Sequence, residues 1–243
     1  MNWIWSNLDL IWDRTLDHLV LSVPPIILSF VIALPIGWLA HRFQLGRGVI
    51  LTGVGLLYAI PSLPLFIVLP AIVGTSARDP LNLIIALTIY GVALMVRVVS
   101  DGLASVDADV RQSATAVGFS GWTLFWQVQL PLAGPVLLAG LRVVAVSTVS
   151  LATVGAVIGV ASLGSLFTDG FQRGIQAEIV AGIVSTVLLA LLFDWSLVAL
   201  GRLLMPWSRA VSPSILSRWA GRSRDAASAA PAASAAAGAE VLK

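Results

Sequence analysis

Residues Leu81 to Ser100 read LNLIIALTIYGVALMVRVVS, an apolar run with a single charge, Arg97, near its far end. At 1.5 Å rise per residue a helix of this length covers about 30 Å, the depth of the hydrocarbon core of a bilayer. Four more runs of the same character lie at about Leu19 to Ala40, Val49 to Gly74, Pro135 to Val160 and Ile179 to Leu204. In lipid every backbone polar group needs a partner within its own segment, which a helix supplies. The expectation is an all-α integral membrane protein with about five transmembrane helices. Composition agrees: 58% of the 243 residues are apolar and 11% charged, against about 25% charged in soluble domains. Mean hydropathy is +0.96.

The same composition excludes several kinds of chemistry. With no cysteine there is no disulfide, thiolate nucleophile or Cys-ligated metal. The two histidines, His18 and His41, flank one apolar run on opposite sides and do not make a metal or catalytic centre. A pI of 9.7 comes from 14 Lys+Arg over 12 Asp+Glu spread along the chain, which is no nucleic-acid footprint. The only lysine is Lys243, so no phosphate-binding loop ending in Gly-Lys-Ser/Thr exists.

Residues 1–18 hold Trp3, Trp5 and Trp12 among Asp9, Asp13, Arg14 and Asp17. This acidic, aromatic segment reads as interfacial, and the span after it as retained. Arg42 and Arg47 follow the first span, and Arg209, Arg218, Arg222 and Arg224 follow the fifth. Positively charged connections stay in the cytoplasm, so the expected orientation is N-terminus outside and C-terminus inside. That orientation makes 19–204 the transmembrane domain, places the connection 101–134 in the cytoplasm and leaves 205–243 as a cytoplasmic tail. From about Asp225 the tail is alanine-rich, interrupted by Pro231 and Gly238, and predicts disorder.

The connection 101–134 carries the strongest functional signal, because long loops without a role are uncommon. Val106, Val110, Ala114 and Val117 fall on one helical face. Asp107 can cap that helix and Gly118 can end it. A second short helix with Trp122, Phe125 and Trp126 on one side then runs to Pro131, which is expected to stop it. Two helices joined at a glycine corner could rest on lipid headgroups or dock a cytoplasmic partner.

The triplet Gln112-Ser113-Ala114, then Gly118, then Leu130-Pro131 resembles the EAA loop of ATP-binding-cassette importer permeases, although Glu and Ala are usual at the first two positions. The likeness extends over about Leu16 to Met205. Ala59-Ile60-Pro61-Ser62-Leu63-Pro64, Leu130 to Pro135, Ala139-Gly140-Leu141-Arg142 and Leu163 to Phe167 look like the osmoprotectant permeases. The resemblance implies a type I-like fold whose coupling loop is 101–134, with Gln112, Ser113, Ala114, Gly118, Leu130 and Pro131 at the ATPase contact. It implies no enzyme activity and no cofactor in this chain, ATP and Mg being held by a pair of cytoplasmic ATPase subunits. The other implied partners are a second permease subunit, the same or paralogous, an extracytoplasmic substrate-binding protein and the lipids of the bacterial inner membrane. The implied cargo is glycine betaine, choline, carnitine or proline betaine. A permease for amino acids or methionine is the nearest alternative, and an ion-coupled carrier or intramembrane enzyme a more distant one.

Three intramembrane charges, Arg97, Arg142 and Asp194, fall in the cytoplasmic third by helix rise, so Asp194 is expected to pair with one of the arginines. Pro61 and Pro64 in the second span, and Ser147 and Thr148 in the fourth, are candidates for gating or pathway positions.

Overall fold

The computed structural model describes residues 2–207, and the alanine-rich tail lies outside the described residues. Residues 1–203 form one unit and the chain from Leu204 another, of which residues 204–207 are described. The described residues form helices: α1 (Asn2–Ser6), α2 (Leu8–Arg42), α3 (Gln44–Ala59), α4 (Ser62–Val73), α5 (Pro80–Ala104), α6 (Ala108–Ala116), α7 (Gly121–Leu124), α8 (Leu130–Ala152), α9 (Gly164–Arg173) and α10 (Gln176–Leu204). A π-helical turn, Phe125–Gln129, joins α7 to α8, and a 3₁₀ stretch, Thr153–Ile158, extends α8. Four helical runs are long and apolar enough to cross a membrane, and α3 with α4 makes a fifth if the bent pair counts as one span.

The central helix is α5, onto which α2, α3, α4 and α8 all pack. Its start follows from sequence: the Asp79 carboxylate accepts the Leu81 N–H at 2.9 Å, and Pro80 occupies the first turn, where a missing N–H costs nothing. Leu83, Met95, Val96, Val99 and Leu103 of this helix are fully buried. Glycines let its neighbours approach. A Cβ on Gly91 would stand 2.6 Å from the Ser29 Cβ of α2, and one on Gly140 of α8 would run into Val98. Close approach of this kind is how small residues hold membrane helices together. Gly91→Leu should therefore cost about 1–3 kcal/mol through overpacking. Gly46→Leu, at a site with nothing within 4 Å of the new Cβ, should cost much less. Thermal melting of the two variants in detergent checks the difference.

The second span is not a kinked rod. At Ile60-Pro61 the chain turns through 99° between α3 and α4. Ile60 is extended, as a residue before proline prefers to be, and Pro61 leads into α4 with φ −62° and ψ 138°. The break frees the Ile60 carbonyl, which accepts the Tyr90 hydroxyl at 2.7 Å. Gly74, with φ +77°, then ends α4 in a left-handed cap.

Two boundaries also differ from expectation. Helix α2 begins at Leu8, so Trp12 already lies on the helix of the first span, while Trp3 and Trp5 lie on α1, with a turn at Asn7 between the two. On α2 His18 is buried, its Nε2 lying 3.0 Å from the Val149 carbonyl. Pro131 does not end the helix that begins at Gly121, and the helical run continues to Ile158. In the wider π turn the Leu130 N–H reaches back five residues to the Phe125 carbonyl. That shift of ladder carries the helix past a residue with no N–H to give. Beyond α8, Gly155 abuts Leu83, and Gly159, at φ +85°, closes the 3₁₀ stretch.

Candidate functional site

The loop between α5 and α8 is built from local signals. Asp107 caps α6, its Oδ1 accepting the Asp109 N–H at 2.8 Å. At the other end the Phe119 N–H donates to the Ala114 carbonyl at 3.1 Å, and Gly118 turns the chain with φ +102°. Ser120 starts the next helix, its Oγ accepting the Thr123 N–H at 3.4 Å. The corner needs glycine for its backbone angle. Nothing lies within 4 Å of a Cβ placed on Gly118, so the backbone angle and not space is the constraint.

Both ends of the loop are anchored. Val106 and Phe125 are buried in one cluster with Leu103, Ala133 and Leu137, against which Leu130 and Trp38 also pack. Trp38 meets Phe125 and Trp122 at ring distances of 5.8 and 6.4 Å. An ion pair of 2.7 Å, Arg47 to Asp101, ties the start of α3 to the end of α5. Between these anchors α6 has no buried residue. Of the apolar face read from the sequence, Val106 is buried, Ala114 is half-buried, and Val110 and Val117 are exposed, Val117 by 81%. Gln112 and Ser113 are also exposed, and Gln112 lines a cavity of about 590 Å³ with Arg111, Thr115 and Gln129. Pro131 is half-buried in the first turn of α8.

The intramembrane charges separate. Arg142 donates from Nε and Nη2 to the two carboxylate oxygens of Asp194, at 2.6 and 2.8 Å, a bidentate link between α8 and α10. Arg97 is exposed on α5 and takes no part in it. Cavities of about 420 and 470 Å³ open on either side of the pair, the first lined also by Ser147 and Val146, the second by Trp195 and Arg202. Thr148, beside Ser147, is buried in the helix packing. Pro61 and Pro64 are exposed at the broken second span. Sequence reasoning missed the contact beside that break, where Tyr58 and Tyr90 meet edge to face at 5.9 Å. They are the only tyrosines, which was the one available signal. Among the described residues no group of three His, Asp or Glu could hold a metal.

A broken helix, a central helix flanked by packed spans, and an exposed helical corner anchored at both ends describe a multi-pass membrane protein. The model of the family "Binding-protein-dependent transport system inner membrane component" matches residues 26–207. The chain belongs to that family, and is a permease subunit of an ABC importer in the inner membrane. It is 26% identical over 206 residues to the glycine betaine/carnitine/choline transport system permease protein OpuCB of Bacillus subtilis, covering 85% of this chain and 94% of the relative. It is 28% identical to the osmoprotectant import permease protein OsmW of Salmonella typhimurium, covering 85% and 97%. Among solved structures it is similar to an inward-facing form of the MetNI methionine ABC transporter, with TM-score 0.71, 22% identity, and coverage of 81% of this chain and 97% of that one. At that identity the likeness speaks for the fold.

Proposed function

We propose that this chain is the membrane-spanning subunit of an importer for quaternary ammonium osmoprotectants, with glycine betaine, choline and carnitine as the cargo class. The observation that carries the reading is that relatives named for these solutes align over most of the chain at 25–29% identity. In this reading the N-terminus is outside, the loop 101–134 is cytoplasmic, and a pair of ATPase subunits docks on it and hydrolyses ATP with Mg. A second permease subunit and an extracytoplasmic binding protein complete the importer, and the aromatic start of the chain lies near the outer interface.

The mechanism follows from how the loop is held. Val110 and Val117, on α6 and at its end, expose apolar side chains, and in this reading they meet the ATPase. A push on α6 passes through Val106 into α5 and through Phe125 into α8, because packed interiors transmit strain and do not absorb it. Movement of α8 against α10 bears on the Arg142–Asp194 link and on the cavities beside it, where Ser147 supplies a hydroxyl. The 99° break of the second span supplies irregular backbone at membrane depth, which is tolerated where it faces protein or a water-filled path.

Deleting this subunit from a strain without other betaine carriers should abolish high-affinity uptake of radiolabelled glycine betaine, choline or carnitine and leave methionine uptake unchanged. Loss of methionine uptake alone would assign the chain to the amino-acid branch.

A further inference from the structure

We infer that the cavity where the end of α2 meets the helical loop is a binding site for the phosphate-bearing headgroup of an anionic phospholipid. The cavity, of about 260 Å³, is lined by His41 and Arg42 from the last turn of α2, Arg111 of α6, Gln129 of the π turn, and Trp38 and Leu124. No carboxylate stands on its wall. Neither Arg42 nor Arg111 has a carboxylate partner among the described residues, whereas Arg14, Arg47, Arg142 and Arg173 all do.

Two guanidinium groups, one from α2 and one from α6, converge on one cavity beside the His41 imidazole, and like charges brought together in this way favour an anion between them. Guanidinium forks match phosphate oxygens in geometry, two N–H bonds at a time. Arg42 also lies over the Trp38 ring, 5.8 Å from its centroid, which directs the guanidinium. The buried Gln129 side chain brings amide donors to the same wall.

The surroundings select a lipid over a soluble anion. Trp122 and Trp126 meet edge to face at 5.7 Å and are 62% and 45% exposed beside the cavity, as tryptophans are at headgroup depth. Leu39 and Phe43 are exposed on the same end of α2, offering apolar surface to an acyl chain. Basic pockets between spans at this level are where anionic headgroups bind. A headgroup held by Arg42 on one side and Arg111 on the other would brace α6 against α2. If the loop couples ATP hydrolysis to transport, as proposed above, lipid charge would then set how stiffly it does so. The binding site itself does not rest on that reading.

The test uses the full chain purified in mild detergent, with retained lipid read by native mass spectrometry after adding phosphatidylglycerol or phosphatidylcholine. Phosphatidylglycerol should be retained in preference, millimolar inorganic phosphate should not displace it, and Arg42→Gln with Arg111→Gln should weaken retention roughly tenfold or more. Arg14→Gln, which removes the same charge from the N-terminal part of α2, should leave retention unchanged. Arg42→Lys guards against misfolding: it keeps the charge, loses the fork, and should hold the lipid less well than the native chain and better than the double variant. Equal retention of the two lipids, unchanged retention by a folded double variant, or displacement by inorganic phosphate would overturn the assignment. These readouts need no transport activity, so they stand whether or not the chain carries betaine.

Discussion

Asp194→Leu should sharply reduce the yield of inserted, monodisperse protein, and the additional change Arg142→Leu should restore a large part of it. The bidentate link satisfies both charges at once, with Asp194 accepting at 2.6 and 2.8 Å. Removing the acid leaves Arg142, on an apolar membrane-spanning helix, without this acceptor, and a lone charge within a span is costly. Removing both members leaves apolar side chains that lipid or a neighbouring helix can cover, so the double change is milder than the single one. The pair is not fully enclosed, its side chains being 40% and 23% exposed, so the guanidinium can also lean toward the interface. Yield and detergent melting of the native chain, the two single variants and the double variant form a cycle that isolates the interaction. A loss in the double variant equal to the sum of the two single losses would show that the link contributes nothing beyond its separate groups.

Gly118→Val should abolish transport while leaving insertion intact. The corner holds φ at +102°, where a β-branched residue is a genuine outlier. Left-handed backbone costs an ordinary residue on the order of 1–2 kcal/mol, enough to shift a local equilibrium about tenfold. Open space around the position means that the variant fails through the turn and not through a clash. The strain is therefore one of the backbone, since a Cβ at this position meets nothing within 4 Å. Uptake in vesicles, with membrane-fraction yield as the control, checks both halves. Normal uptake at normal yield would show that the corner's geometry does not matter for coupling.

These two sites also show what the sequence makes legible. The spans are readable because lipid demands long apolar helices, and α5 begins where Asp79 and Pro80 announce it. The corner at Gly118 is readable because capping is local: Asp107, Gly118 and Ser120 each act on backbone within a few residues. Helix rise brings Arg142 and Asp194 to similar depth, but only tertiary packing decides that Asp194 meets Arg142 and not Arg97. The sharp turn at Pro61 was hidden for the same reason. Proline signals a break without its angle, and the angle is held by Tyr90, distant in sequence, donating to the freed carbonyl. Pro131 misleads because the π turn, which lets the helix pass it, has no sequence signature of its own.

Contact between the loop and an ATPase is the most direct test of the account. The chain has no cysteine, so Ala114→Cys places a single thiol on α6 without background. With a single-Cys ATPase partner, this thiol should cross-link in the assembled complex, and Ser76→Cys, in the connection between α4 and α5, should not. A thiol at position 114 that cross-links to no ATPase and stays freely reactive in the assembled complex would contradict the claim that residues 101–134 couple ATP hydrolysis to transport.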